Sequence, residues 1–334
     1  MSDREALERI ANGRAWEDFC DQLKEAGHKV LAAAPDDPFD RAEGIRYVSR
    51  LARNFLRNAT ERTQPDRIAL GHAESPKIGL DNPDYVYAGA RLDPSATYRL
   101  TGELADAHMI GFGTYSGGLG TPGGLQRDGY LESQALSLDS GGHFEITLSQ
   151  QPQQGNWLPM GPMTNSLNVR QTLLRRSEQQ QAPLQLQRLG ESKPPRPLDP
   201  ARFSGALDRA GQVLVGTVSQ FLAWTASFQE HCHEIRPLDP KFLAVAQGDP
   251  NTSYNYTYWE LAEGEAFVIH LDPPDCEYWN LQIGNHWLES LDFMSFKTHV
   301  NHETAVADSN GHVQVVVAGR DPGVPNWLDT AGHS

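Results

Sequence analysis

The chain has 334 residues, 39% of them hydrophobic, and a formal net charge of −15. That length predicts roughly two domains. The acidic balance argues against nucleic acid or an anionic membrane as the main partner, because both recruit basic surfaces. Three scattered cysteines, Cys20, Cys232 and Cys276, form no CxxC or metal-finger spacing and suit a reducing, cytoplasmic compartment. The start, Met1-Ser-Asp-Arg-Glu, lacks the apolar core of a secretory signal, and no run is apolar enough to span a bilayer.

Residues 1–65 read as a helical segment. Leu7, Ile10, Phe19 and Leu23 mark one apolar face, Pro35-Asp-Asp-Pro38 breaks it, and Ile45, Val48, Leu51 and Phe55 mark a second. The other side of that second helix carries Arg46, Arg50, Arg53 and Arg57. This stripe reads either as a solvated face paired with acidic loops or as an anion contact. Residues 66–176 read as a first β lobe, with alternation in Tyr98–Leu104 and Phe144–Leu148 and a closing strand at Leu167–Gln171. Gly118-Leu-Gly120-Thr-Pro-Gly123 fits the G-x-G-x-x-G pattern, but Pro122 and the extended segment after it argue for an inter-strand loop instead of a nucleotide site.

Residues 177–202, rich in Gln and Pro, read as a linker. Residues 203–235 read as a helix, with Leu214, Val218, Phe221, Thr225 and Phe228 on one face. Residues 236–334 read as a second β lobe. It reaches Gly332-His333-Ser334 without a counterpart of the strand Leu167–Gln171, so either the chain is shortened, or another segment or another subunit, as in a homo-oligomer, is expected to supply the open edge.

Two stretches look like copies of one design. Asp139-Ser-Gly-Gly-His143 precedes a strand and Asn156-Trp157-Leu158; Asp308-Ser-Asn-Gly-His312 precedes a strand and Asn326-Trp327-Leu328. The offset is 169 from His143 to His312 and 170 from Trp157 to Trp327. The lobes are therefore expected to be related.

Several clusters bear on chemistry. His231 and His233 would share a face and could bind zinc on a strand but diverge at the end of a helix, the stronger reading here; His299/His302 is a second weak cluster, and no metal site and no cofactor motif is read. Tyr254, Tyr256 and Tyr258 alternate, so their rings share one face of a strand, as a sheet ladder or as a ligand wall. Tyr278, Asn280 and Gln282 form a neutral polar face of the kind small-molecule pockets use. Asp329 and His333 offer either a carboxylate-oriented general base or a turn held by the Asp side chain.

Tyr278-Trp279, Trp287-Leu-Glu-Ser-Leu-Asp292 and Asp321-Pro-Gly-Val-Pro-Asn-Trp-Leu-Asp-Thr-Ala-Gly-His333 resemble an uncharacterised bacterial family, the domain of unknown function numbered twelve-fourteen. The resemblance extends through Gly248-Asp-Pro250, Ala42-Glu-Gly-Ile-Arg-Tyr47 and Asp81-Asn-Pro-Asp84, hence over nearly the whole chain. It implies a mainly antiparallel β architecture with helices packed on it, and members that continue past the Gly-His with another strand. It brings no settled activity.

The fold expected is α+β, with two related antiparallel β-sandwich-like lobes, an N-terminal helical segment and a helix after the linker. The function expected is a soluble, hydrolase- or lyase-like enzyme acting on a small organic, anionic substrate between the lobes. The alternative is a non-catalytic small-molecule-binding or interaction protein using the same cleft. Asp329, His333 and Asp292 are the candidate catalytic groups. Tyr256, Tyr258, Trp287 and Asn326 are the candidate substrate contacts, with Arg46 and Arg50 clamping an anionic group.

Overall fold

The computed structural model describes residues 1–61, 70–72, 77–190, 197–246 and 248–334. The boundary expected at residue 65 and residues 191–196 of the expected linker lie outside the described residues.

Four long helices make one layer: α1 (Asp3–Ala11), α2 (Arg14–Ala33), α3 (Pro38–Thr60) and, after the first lobe, α4 (Pro200–Gln229). Their starts follow from capping chemistry. Ser2 accepts from Glu5 N, Asp37 from Asp40 N, and Asp199 from Ala201 and Arg202 N, while Pro38 and Pro200 occupy first-turn positions that need no N–H donor. Ala26 and Val30 of α2, Val48 and Leu51 of α3, and Leu214, Val218 and Phe221 of α4 form one core with Trp287 from the second lobe. Leu7 and Ile45, expected on apolar faces, are exposed. In α3 the buried stripe instead runs through Gly44, Tyr47, Val48 and Leu51. Its origin is Gly44, where an added Cβ would come within 2.6 Å of both the Trp287 ring and Val30. Among the described residues no helix is long and apolar enough to cross a membrane.

The first lobe contains β1 (Gly71–His72), β2 (Tyr85–Arg91), β3 (Thr97–Glu103), β4 (Met109–Gly117), β5 (Leu125–Glu132), β6 (His143–Ser149), β7 (Asn156–Pro159), β8 (Ser166–Thr172) and β9 (Leu184–Leu189). They form two facing sheets, β1-β2-β8-β4-β5 and β7-β6-β3-β9, around a core that includes Leu100, Phe112, Ile146, Leu148 and Val169. β9 falls inside the Gln/Pro-rich stretch expected to be a linker. The alternation in Leu184-Gln-Leu-Gln places Leu184 and Leu186 against the core, and this pattern outweighs the composition. The Gly118–Gly123 loop joins β4 to β5 and packs on α4, where an added Cβ at Gly216 would sit 2.0 Å from Gly120 O.

The second lobe contains β10 (Arg236–Pro237), α5 (Pro240–Ala246), β11 (Asn255–Tyr256), β12 (Phe267–Leu271), β13 (Asn280–Gln282), β14 (His299–Asn301), β15 (Val313–Ala318) and β16 (Trp327–Asp329). A three-stranded sheet, β12-β15-β16, packs against the pair β13-β14 over Ile269, Ile283, Val300, Val315 and Leu328. Three of its strand pairings match the first lobe in register. Tyr98↔Leu148 corresponds to Phe267↔Val317, Gly111↔Glu132 to Asn280↔Asn301, and the parallel pair Thr147↔Trp157 to Val316↔Trp327.

Two neighbours differ: among the described residues β12, the counterpart of β3, has no strand equivalent to β9, and none is equivalent to β8. In the first lobe β8 lies between β2 and β4, antiparallel to both. Among the described residues no strand lies between β11 and β13, the segments at the corresponding positions of the second lobe. Phe267, Trp279 and Leu281 are accordingly half-buried, whereas their counterparts Tyr98, Ile110 and Phe112 are fully buried.

Candidate binding cleft

A cleft of about 1860 Å³ lies between the two lobes and the helical layer. The first lobe contributes Tyr85, Tyr87, Tyr115 and Arg170, and α4 contributes Phe221, Trp224 and Phe228. The second lobe supplies Tyr254, Tyr256 and Tyr258 from one segment and Tyr278, Asn280 and Gln282 from another, with Leu281 and Ile283 between them. β11 is short, yet the alternation of the three tyrosines is still used. Tyr256 stacks on Phe228, with ring centroids 5.1 Å apart and planes 14° from parallel. Tyr258 Oη meets His286 Nδ1 at 2.8 Å, and Tyr254 Oη accepts from Asp249 N at 2.9 Å.

Burial keeps these phenols neutral. It pushes the Tyr258 hydroxyl up to about 12 and moves Tyr254, Tyr256, Tyr85, Tyr87 and Tyr278 in the same direction. The wall is therefore aromatic and uncharged, and the hydroxyls of Tyr87, Tyr254, Tyr258 and Tyr278 are engaged within the protein. Arg170 joins it beside Tyr115 Oη at 3.3 Å.

Asp84 locks the lobes together below this wall. It is almost fully buried and accepts from Tyr278 Oη at 2.8 Å, Asn301 Nδ2 at 2.9 Å and His299 Nε2 at 3.1 Å. Asn82 adds bonds to Tyr278 Oη at 2.8 Å and Asn280 Nδ2 at 2.9 Å.

Asp329 and His333 are engaged separately. Asp329 Oδ1 accepts from Ala331 N at 2.8 Å, the turn-forming alternative of the sequence reading. His333 turns to the helical layer, with Nδ1 at 2.9 Å from Thr330 O and Nε2 at 3.4 Å from Glu43 Oε2. Its bond to the imidazole, helped by Asn285 and Arg46, holds Glu43 down at about 2 against the opposing effect of burial. Burial opposes the imidazolium of His333, but Glu43 and the Thr330 carbonyl outweigh it and raise the pKa. His286 is also occupied at both nitrogens, by Tyr258 Oη and by Ala33 O at 3.1 Å, and burial lowers its pKa.

The arginines expected to clamp a substrate are bound within the protein. Arg50 pairs with the buried Glu289 at 2.7 Å, and Arg46 with Glu43 at 3.0 Å. Burial raises the Glu289 pKa, while Arg50 and Asn285 pull it back. Asn285 Nδ2 bridges the two carboxylates, at 2.8 Å from Glu43 and 3.1 Å from Glu289. Asp292 is exposed and caps a turn at Met294 N. Asn326 is buried and braces β15 through Gln314 O and the Val306 backbone. Trp287 is core: it is 1% exposed, stacks with Tyr47 and donates from Nε1 to Asp40 O at 3.0 Å. Of the nine candidates, Tyr256, Tyr258 and His333 line the cleft.

The histidines weighed as metal ligands have other partners. His231 Nε2 faces Arg236 and His233 Nε2 faces Glu260 O. Among the described residues no group of His, Cys, Asp and Glu converges to hold a metal ion.

A crystal structure of an uncharacterised protein from Burkholderia cenocepacia superposes with a TM-score of 0.93 at 42% identity, covering 98% of this chain and 92% of that one. The chain belongs to that protein's family. A second solved structure, the VPA0106 protein from Vibrio parahaemolyticus, matches at a TM-score of 0.45 and 12% identity over 93% of this chain and 91% of that one. No family model and no curated protein matches the chain.

Glu43, Asp84, Asn285, Glu289 and Arg170 were not among the expected site residues. Glu43, Asp84 and Glu289 lie inside runs that carried the family resemblance, Ala42–Tyr47, Asp81–Asp84 and Trp287–Asp292. Arg170 sits in the polar phase of β8, between buried Val169 and Gln171, and that alternation was the available signal.

Proposed function

We infer that the protein is a binding protein for a small, largely apolar organic molecule, held in the cleft between the lobes. The supporting observation is the wall itself: Tyr254, Tyr256 and Tyr258 line one cleft with Tyr85, Tyr87 and α4 aromatics, with neutral polar groups at intervals. The non-catalytic reading is favoured over the hydrolase- or lyase-like one because Asp329 is tied into a turn, and His333 and His286 have both ring nitrogens occupied. The test is titration with the neutral fluorophore N-phenyl-1-naphthylamine. Saturable binding, abolished by Tyr256→Arg at unchanged melting temperature, is expected. Binding that does not saturate, or that ignores Tyr256→Arg, overturns the reading.

The gap between β11 and β13 favours a second use of the same lobe, the addition of an extended strand from a second copy of the chain. A dimer by light scattering that Leu281→Arg dissolves is its expected signature, and a monomer at all concentrations removes it. The wider family reading rests on the runs at 278–292 and 321–333, which resemble domain-of-unknown-function family twelve-fourteen. The free cysteines Cys20, Cys232 and Cys276 fit a cytoplasmic setting.

A further inference from the structure

The cleft's aromatic wall leaves open what sets a ligand's charge. Arg46 and Arg50 do not line the cleft and already have carboxylate partners. Besides Arg170, which is held beside Tyr115, three arginines line it: Arg57 on α3, Arg91 at the end of β2 and Arg209 on α4. They come from neighbouring positions in the fold. Leu56 and Ala59, either side of Arg57 on α3, pack against the cluster of Leu207 and Ala210, which flank Arg209. Arg91 keeps an exposed side chain; desolvation along its stem and then the nearby Arg209 charge lower its basicity.

Among the described residues no carboxylate forms an ion pair with Arg57, Arg91 or Arg209, although Glu61 also lines the cleft. Other surface arginines divide: Arg4, Arg41, Arg99, Arg175 and Arg202 are paired with acids, whereas Arg14 and Arg127 form no ion pair among the described residues. All three guanidiniums are exposed, so water screens their mutual repulsion, and an anion placed between Arg91 and Arg209 would offset what remains. Around them the lining is neutral and donor-rich, with Asn58, Asn165, Ser166 and Asn168. A planar guanidinium binds a carboxylate, sulfonate or phosphate oxygen pair bidentately.

We propose that Arg91 and Arg209, with Arg57 beside them, form the anion-binding end of the cleft, and that its ligand is an amphipathic organic anion. The acidic group sits at these arginines and the apolar body lies along the tyrosine wall. This rests on the cleft being a ligand site, and it assigns the anionic handle to arginines other than the two expected from the sequence.

The test compares two matched dyes, 8-anilinonaphthalene-1-sulfonate and N-phenyl-1-naphthylamine, which differ by the sulfonate alone. The wild-type protein should bind the sulfonate more tightly, and added salt should weaken only that dye. Arg91→Ala/Arg209→Ala should weaken the sulfonate at least tenfold and leave the neutral dye unchanged. Arg46→Ala, outside the cleft, should change neither. Equal loss of both dyes, or sulfonate binding unaffected by the double substitution, overturns the assignment. If neither dye binds the wild type, the cleft reading fails first and the assignment falls with it. Near-ultraviolet circular dichroism of each variant separates loss of the site from loss of the fold.

Discussion

Asn156 and Asn326 are 170 positions apart and make the same three hydrogen bonds. Asn156 brackets the backbone of Ser137 and donates to Glu145 O; Asn326 brackets Val306 and donates to Gln314 O. The tryptophan that follows each donates to the end of the preceding strand, Trp157 to Ser149 O at 3.2 Å and Trp327 to Ala318 O at 2.8 Å. Asp139 and Asp308 close the same turn by accepting from His143 N and His312 N, each at 3.0 Å. The units part after the tryptophan. The first leads into β8, which completes a sheet and seals the core. The second ties Asp329 N to Lys297 O at 2.7 Å and sends His333 to Glu43 on α3. Identical local chemistry sets the register in both lobes; the next neighbour decides whether the inner face becomes core or cleft wall.

The largest expected effect separates the two inner faces. Phe112 is fully buried, so Phe112→Ala should cost roughly 3–5 kcal/mol. Its counterpart Leu281 is half-buried against the cleft, so Leu281→Ala should cost below about 2 kcal/mol by urea denaturation. Equal costs would mean that both faces are sealed. Next, Asn326→Ala should cost about 1–3 kcal/mol, because Asn326 is 3% exposed and its backbone partners stay buried. Asn156→Ala should cost less, since water reaches that half-exposed site. A reversed order would break the comparison.

The smallest effect is a pH signature peculiar to the second unit. His333 has a pKa raised above 6.5, so its contribution is complete below that value and fades as pH rises through the folded one. Glu43, lowered from 4.5 to about 2, contributes above 4.5 and loses that contribution as pH falls toward 2. The pair therefore stabilises most between 4.5 and 6.5. His333→Gln should lower the melting temperature more at about pH 5.5 than at about pH 8.5. A gap that does not change with pH would show that Glu43 and His333 are not coupled in the folded state.

Much of the fold was legible because it depends on local pattern. Asp37-Pro38 announces a helix start, the alternation at 144–148 and the apolar run at 313–317 announce strands, and the helix expected from 203 begins slightly earlier, at Pro200. The paired Asp turns and Asn-Trp-Leu runs gave the offset that the strand registers follow. The site was less legible because its contacts are long-range. Arg46 and Arg50 are correctly phased on α3, but Glu289, 239 residues beyond Arg50, takes Arg50 up. Asp329 lies near His333 in sequence, while Glu43, 290 residues away, reaches it in space. Arg91 and Arg209 carry no local motif. β2 and α4 bring them together.

Hydrogen exchange with and without bound N-phenyl-1-naphthylamine shows whether a ligand enters the cleft between the lobes. Ligand should protect the backbone amides of residues 254–258 and 278–283, which carry the cleft's second-lobe wall, and leave β6 and β9, on the far sheet of the first lobe, unchanged. Protection confined to other segments, or none at saturating dye, would contradict a binding site between the lobes.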